Sequence, residues 1–78
     1  MKEFLEYVAR SLVDDPDAVV VEMIEGDDEV TLNLKVGEGD MGRIIGRDGR
    51  IANAIRSLLR VMATRDGRHV ELEILDDD

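Results

Sequence analysis

Two glycine motifs and seven arginines are the residues of this chain whose types and spacing bear on chemistry. Gly46-Arg47-Asp48-Gly49 sets two glycines three apart, which lets a backbone turn sharply and approach a ligand closely. Arg43, Arg47 and Arg50 surround it. A helical pattern begins at Gly49–Arg50, so the free N–H groups and positive dipole end of that helix face the loop. A bare backbone, amide donors and positive charge together suit a sugar–phosphate chain. The second motif, Gly37-x-Gly39-x-x-Gly42, matches a dinucleotide fingerprint by letters and follows a strand pattern. That reading fails on what comes next. The position about 20 residues on is Ser57 or nearby, inside a helix, where a ribose-binding acid should end a second strand. A chain of 78 residues also lacks the length for a doubly wound sheet, so Gly37 and Gly39 read as turn residues that end a strand.

Other chemistries are excluded by composition. There is no cysteine, hence no disulfide, thiolate metal site or cysteine nucleophile. His69 is the sole histidine and begins a strand on its wet face, which suits neither catalysis nor metal binding. The carboxylates at Asp14, Asp15 and Asp17, at Asp27, Asp28 and Glu29, and at Asp76 to Asp78 lack the spacing of a dedicated cation loop. No nucleophile–base pair is visible, so the chain does not read as an enzyme, and nothing calls for a cofactor. Phe4 and Tyr7 are the only aromatics and lie far from the loop, so base-stacking platforms are missing there.

Charge is distributed unevenly. The net charge of −9 argues against a partner with a phosphate backbone. Residues 1–40 carry three basic and twelve acidic side chains, a net of −9. Residues 41–68 carry seven arginines against Asp48 and Asp66, a net of +5, and residues 69–78 carry five acids, a net of −5. The positive block coincides with the glycine loop, which hints at an anionic partner.

The elements that must position the loop follow from periodicity. Phe4, Leu5, Val8, Ala9 and Leu12 recur at helical spacing over 2–13, and Asp14-Asp15-Pro16-Asp17 ends that helix. Residues 18–25 read as a strand, Gly26-Asp27-Asp28 as a turn, and 29–36 as a strictly alternating strand, giving an antiparallel hairpin. Asp40 is the expected N-cap of a short helix, Met41 to Ile45. A longer helix runs from Arg50 to about Ala63, its apolar residues covering about half the circumference, with Asn53, Arg56, Ser57 and Arg60 opposite. Asp66-Gly67 turns the chain into a last alternating strand, 68–75, and Asp76-Asp77-Asp78 reads as a solvated tail. The order α-β-β-α-α-β implies an α+β fold: a three-stranded mixed sheet, its last strand reached by a right-handed parallel crossover, with the helices packed on one face.

Arg43-Ile44-Ile45-Gly46-Arg47-Asp48-Gly49 followed by an amphipathic helix resembles the GxxG core of a KH domain. The element order is similar to the type II, prokaryotic arrangement. A single domain over 1–78 resembles the small bacterial KhpA (YlqC) family, and the likeness covers essentially the whole chain. The resemblance implies single-stranded RNA binding, with about four nucleotides in a groove beside the GxxG loop. Carried over by position, Gly46, Arg47, Asp48 and Gly49 would clamp the backbone. Ile44, Ile45 and Ala52 would floor the groove, while Arg43 and Arg50 add charge. It further implies a cytoplasmic RNA chaperone without a membrane span. The family acts with the KH protein KhpB (Jag/EloR) in peptidoglycan homeostasis and in cell length and shape.

Two positions depart from the family pattern. Asp48 puts a negative charge in the loop, which weakens phosphate binding, and Ala52 stands where a larger aliphatic residue is usual. The rival reading from another class is a protein-interaction module that uses the fold to form a homodimer. It is motivated by the acidity, by Asp48, by the small chain and by an apolar arc on helix 50–63 extending to Val61 and Leu59.

Overall fold

A computed structural model describes residues 1–76, with the side chain of residue 76 outside the description. Asp77 and Asp78 of the expected tail lie outside the described residues, and Asp76 ends a strand. The elements follow the expected order: α1 (Lys2–Leu12), β1 (Val20–Glu25), β2 (Glu29–Val36), α2 (Met41–Ile45), α3 (Arg50–Arg65) and β3 (His69–Asp76).

The sheet order is β1-β2-β3. β1 runs antiparallel to β2, with Val21 opposite Leu34, and β3 runs parallel to it, with Leu32 opposite Leu72. Alternation sorts the faces. Val30, Leu32, Leu34 and Val36 of the central strand are fully buried, whereas Thr31, Asn33 and Lys35 face away from the core. The helices supply the other half of the core: Leu5 and Ala9 from α1, Ile44 from α2, and Ile55 and Leu59 from α3. Each buried Leu or Ile contributes roughly 1.5–3 kcal/mol of burial free energy, so this single layer of contacts holds the sheet to the helices. One consequence concerns the loop directly. The crossover from β2 to β3 consists of α2, the glycine loop and α3, so the loop hangs between two helices that are both anchored on the sheet.

Boundaries shift where local chemistry overrides the pattern. The strand expected from Ala18 begins at Val20, because Pro16 opens a short 3-10 turn, Pro16–Ala18, before the chain extends. Helix α3 runs two residues beyond Ala63 to Arg65. It ends in a Schellman motif: Arg68 N–H donates to Ala63 O at 2.9 Å and Gly67 N–H to Thr64 O at 3.0 Å. Gly67 sits at φ 71° to make that closure.

Asp40 holds the N-cap position of α2, as expected, but it does not cap with its side chain. It is 4% exposed, and its carboxylate accepts the backbone amides of Asp14 and Asp15, both at 3.2 Å. A charged acceptor serving the segment that follows α1 outcompetes the weaker local cap, because those two amides would otherwise be left part-buried without partners.

The apolar arc of α3 also divides differently from expectation. Ala52, Ile55, Leu59 and Ala63 are buried, so Leu59 belongs to the core. Leu58 and Val61 stay 52% and 55% exposed, beside exposed Ala54.

Candidate nucleic-acid interface

The loop is built by three departures from helical backbone within four residues. Gly46 ends α2 at φ 75°, ψ −178°, Asp48 sits at φ 56°, ψ 26°, and Gly49 at φ 76°, ψ 12°. At Gly46 glycine is required twice over. A Cβ there would lie 2.6 Å from Ile51 Cγ1 and 2.8 Å from its Cδ1, closer than side chains tolerate. The positive φ also disfavours any other residue. Ile51 therefore packs across the loop against the Gly46 backbone and locks its shape. Asp48 occupies the left-handed region without being glycine, which Asp and Asn tolerate better than other side chains. Its presence in the loop thus has a conformational reason.

Donors are available. Gly46 N–H closes α2 on Gly42 O at 2.9 Å, and Gly49 N–H reaches Gly46 O at 3.4 Å. Among the described residues, the amides of Arg47 and Asp48 have no backbone acceptor. No side chain caps the start of α3. Arg47, Asp48 and Arg50 are exposed, and among the described residues neither Arg47 nor Arg50 has a carboxylate within ion-pair distance. The arrangement can hold an anionic backbone between two guanidinium groups and two open amides.

The remaining expected residues are placed elsewhere. Arg43 pairs with the exposed Asp14 carboxylate at 2.9 Å and lies 3.5 Å from Asp40 Oδ1, so its charge is shared with two carboxylates, unlike those of Arg47 and Arg50. Ile44 is fully buried and Ala52 is 3% exposed; both support the loop from within the core. Ile45 is half-buried and is the apolar residue of the three that keeps surface to offer.

A second feature lay outside the expectations. A cleft of about 460 Å³ opens between the C-terminal half of α3 and the start of β3, with Arg56, Arg60, Thr64 and Arg68 at its wall. The signal was present in the i, i+4 spacing of Arg56 and Arg60, which puts both on one helix face. Among the described residues no three His, Asp or Glu side chains converge to hold a metal ion, and no helix is long and apolar enough to cross a membrane.

Comparison with known proteins agrees with this geometry. The family model for the KhpA/KhpB KH domain matches residues 2–74. A curated protein of Borreliella burgdorferi, named RNA-binding protein KhpA, is 50% identical over 74 residues, covering 95% of this chain and 90% of its own. Proteins of the same name from Clostridium acetobutylicum and Chlamydia trachomatis are 45% and 44% identical. The first covers 96% of this chain and 100% of its own length, the second 99% of each. No solved structure matches significantly. With its α-β-β-α-α-β order, its mixed sheet and a GxxG turn locked between two helices, the chain belongs to the KhpA/KhpB KH-domain family.

Proposed function

We propose that this chain binds single-stranded RNA through the Gly46–Gly49 loop, without catalysing a reaction on it. The observation that carries the reading is the preformed loop, with the amides of Arg47 and Asp48 and the side chains of Arg47 and Arg50 unpaired among the described residues. The name shared by its relatives, RNA-binding protein KhpA, supports the same conclusion. The wider family role is part of the proposal: a cytoplasmic RNA chaperone of one domain over residues 1–78. It acts with KhpB and contributes to peptidoglycan homeostasis and cell shape.

The test is a titration of short single-stranded RNA at two salt concentrations. Arg47→Asp with Arg50→Asp should remove binding while the circular dichroism spectrum and unfolding midpoint stay unchanged, since both side chains are exposed. Substituting Gly46 is a poor probe, because the Ile51 contact makes loss of fold and loss of binding indistinguishable. RNA binding that is absent, or indifferent to both substitutions, would sink this reading.

A second reading is favoured by the exposed stripe Ala54, Leu58 and Val61 on α3. Spaced i, i+4, i+7, it forms a seam of the kind that pairs helices, and it suits a homodimer or a KH partner. The stripe and the loop are separate features, so RNA binding and association are compatible.

A further inference from the structure

We propose that the uncovered face of the sheet is a docking surface for an arginine-bearing segment of a protein partner. The helices pack on the other face, so this one is left bare. The strand register sorts it into rows. The middle row is Glu22, Asn33 and Glu73, aligned across the three strands, and each offers an acceptor oxygen. Among the described residues neither carboxylate has a basic side chain within ion-pair distance. Asn33 Oδ1 is buried without a hydrogen-bond partner. A buried acceptor left unpaired costs free energy that an arriving donor recovers. The terminal torsion of asparagine is broad, so this oxygen can turn toward a donor that comes from the open face. On one side of the row, Val20, Lys35 and Leu75 close a depression of about 290 Å³ with Glu22 and Asn33. On the other side lie Ile24 and Glu71. Val20, Ile24 and Leu75 are 53%, 57% and 40% exposed, apolar surface on the face where alternation places polar groups.

The chemistry selects the occupant. The exposed carboxylates of Glu22, Glu71 and Glu73 outweigh Lys35, so the face suits a cationic partner and opposes RNA. A metal ion does not fit. Glu22 and Glu73 stand two strand spacings apart, roughly 10 Å between backbones. Among the described residues no three acidic or histidine side chains converge on one point. A guanidinium does fit: it presents five N–H donors in a planar fork and carries no acceptor. Its apolar stem can lie along Val20 and Leu75. A lysine ammonium is a compact point charge and does not match a row of acceptors in this way. The unpaired arginines of this chain sit on the glycine loop and α3, away from this face. A second copy that docked them here would stack head to tail without closing, so the occupant is a different protein.

The experiment titrates a fluorescein-labelled pentapeptide of alternating arginine and valine against the whole chain, beside a version with lysine for arginine. Binding is followed by anisotropy and mapped by amide chemical shifts. The arginine peptide should bind, with the largest shifts on Glu22, Asn33 and Glu73, and the lysine version should bind about fivefold more weakly. Glu22→Gln with Glu73→Gln, both at exposed positions, should weaken the arginine peptide about tenfold and leave RNA binding unchanged. Glu3→Gln with Glu38→Gln removes the same charge elsewhere and should change the affinity by less than about twofold. Equal weakening by the two pairs, or equal affinity for the two peptides, reduces the binding to general acidity and overturns the proposal. Absence of binding overturns it too. Self-association of the wild-type chain that Glu22→Gln with Glu73→Gln abolishes would give the face to a second copy and overturn it as well. None of these outcomes bears on the RNA reading, which the loop titration tests separately.

Discussion

Asp48 carries two opposed effects on one side chain. Its carboxylate repels phosphate, while its tolerance of φ 56° keeps the turn in shape. The two effects separate under substitution. Asp48→Asn keeps the conformational tolerance and removes the charge, so RNA affinity should rise several-fold with the unfolding midpoint unmoved. Asp48→Val should cost about 1–2 kcal/mol, because a β-branched residue is poorly accommodated at positive φ. Denaturant titration beside RNA titration reads both. Asp40 poses a plainer case. Asp40→Asn removes a charged acceptor from the amides of Asp14 and Asp15 and from Arg43, and should lower stability by about 2 kcal/mol in urea unfolding. It should also loosen α2, which presents Ile45 and Gly46 to the loop.

At the scale of elements, α3 faces three ways at once. One face fills the core through Ile55 and Leu59, one bears Arg56 and Arg60, and one exposes Leu58 and Val61. Leu58→Glu with Val61→Glu should leave the monomer folded and abolish any self-association of the wild-type chain, as measured by sedimentation equilibrium. A wild-type chain that stays monomeric at high concentration would remove the seam's assigned role. The same helix marks the limit of what periodicity conveys. β2 was legible residue for residue, because strict alternation between a dry and a wet face admits one placement. α3 was legible as a helix, but its apolar arc was wider than the face the sheet covers. Which apolar residues stay outside is decided by the sheet's position and not by the arc. The partners of Asp40 were illegible for a related reason. They lie 25 and 26 residues away, and only the tertiary fold brings them within reach.

For the whole molecule, the net charge of −9 and the positive block at residues 41–68 act against each other. Distant acids oppose any polyanion, whereas Arg47 and Arg50 attract one locally. Affinity should therefore be modest and only shallowly dependent on salt. With two phosphates neutralised at the loop, the slope of log K against log salt should be about −1.4, from about −0.7 per contact on a single strand. A much steeper slope would mean that the chain engages far more of the strand than the loop provides.

The parallel pairing of β2 with β3 has a consequence for how the molecule comes to exist. Glu29 pairs with His69 and Leu34 with Ile74, a constant separation of 40 residues. The hairpin of β1 and β2 closes over a short turn and forms early, whereas β3 can dock only after a long stretch of chain has been ordered. That stretch is α2, the glycine loop and α3. The glycine turn therefore orders before or together with the docking of β3, and an opening that frees β3 removes one of the contacts that hold α3 on the sheet. Folding and ligand competence arrive together, so a nascent or partly unfolded chain presents arginines without the backbone geometry that makes them selective.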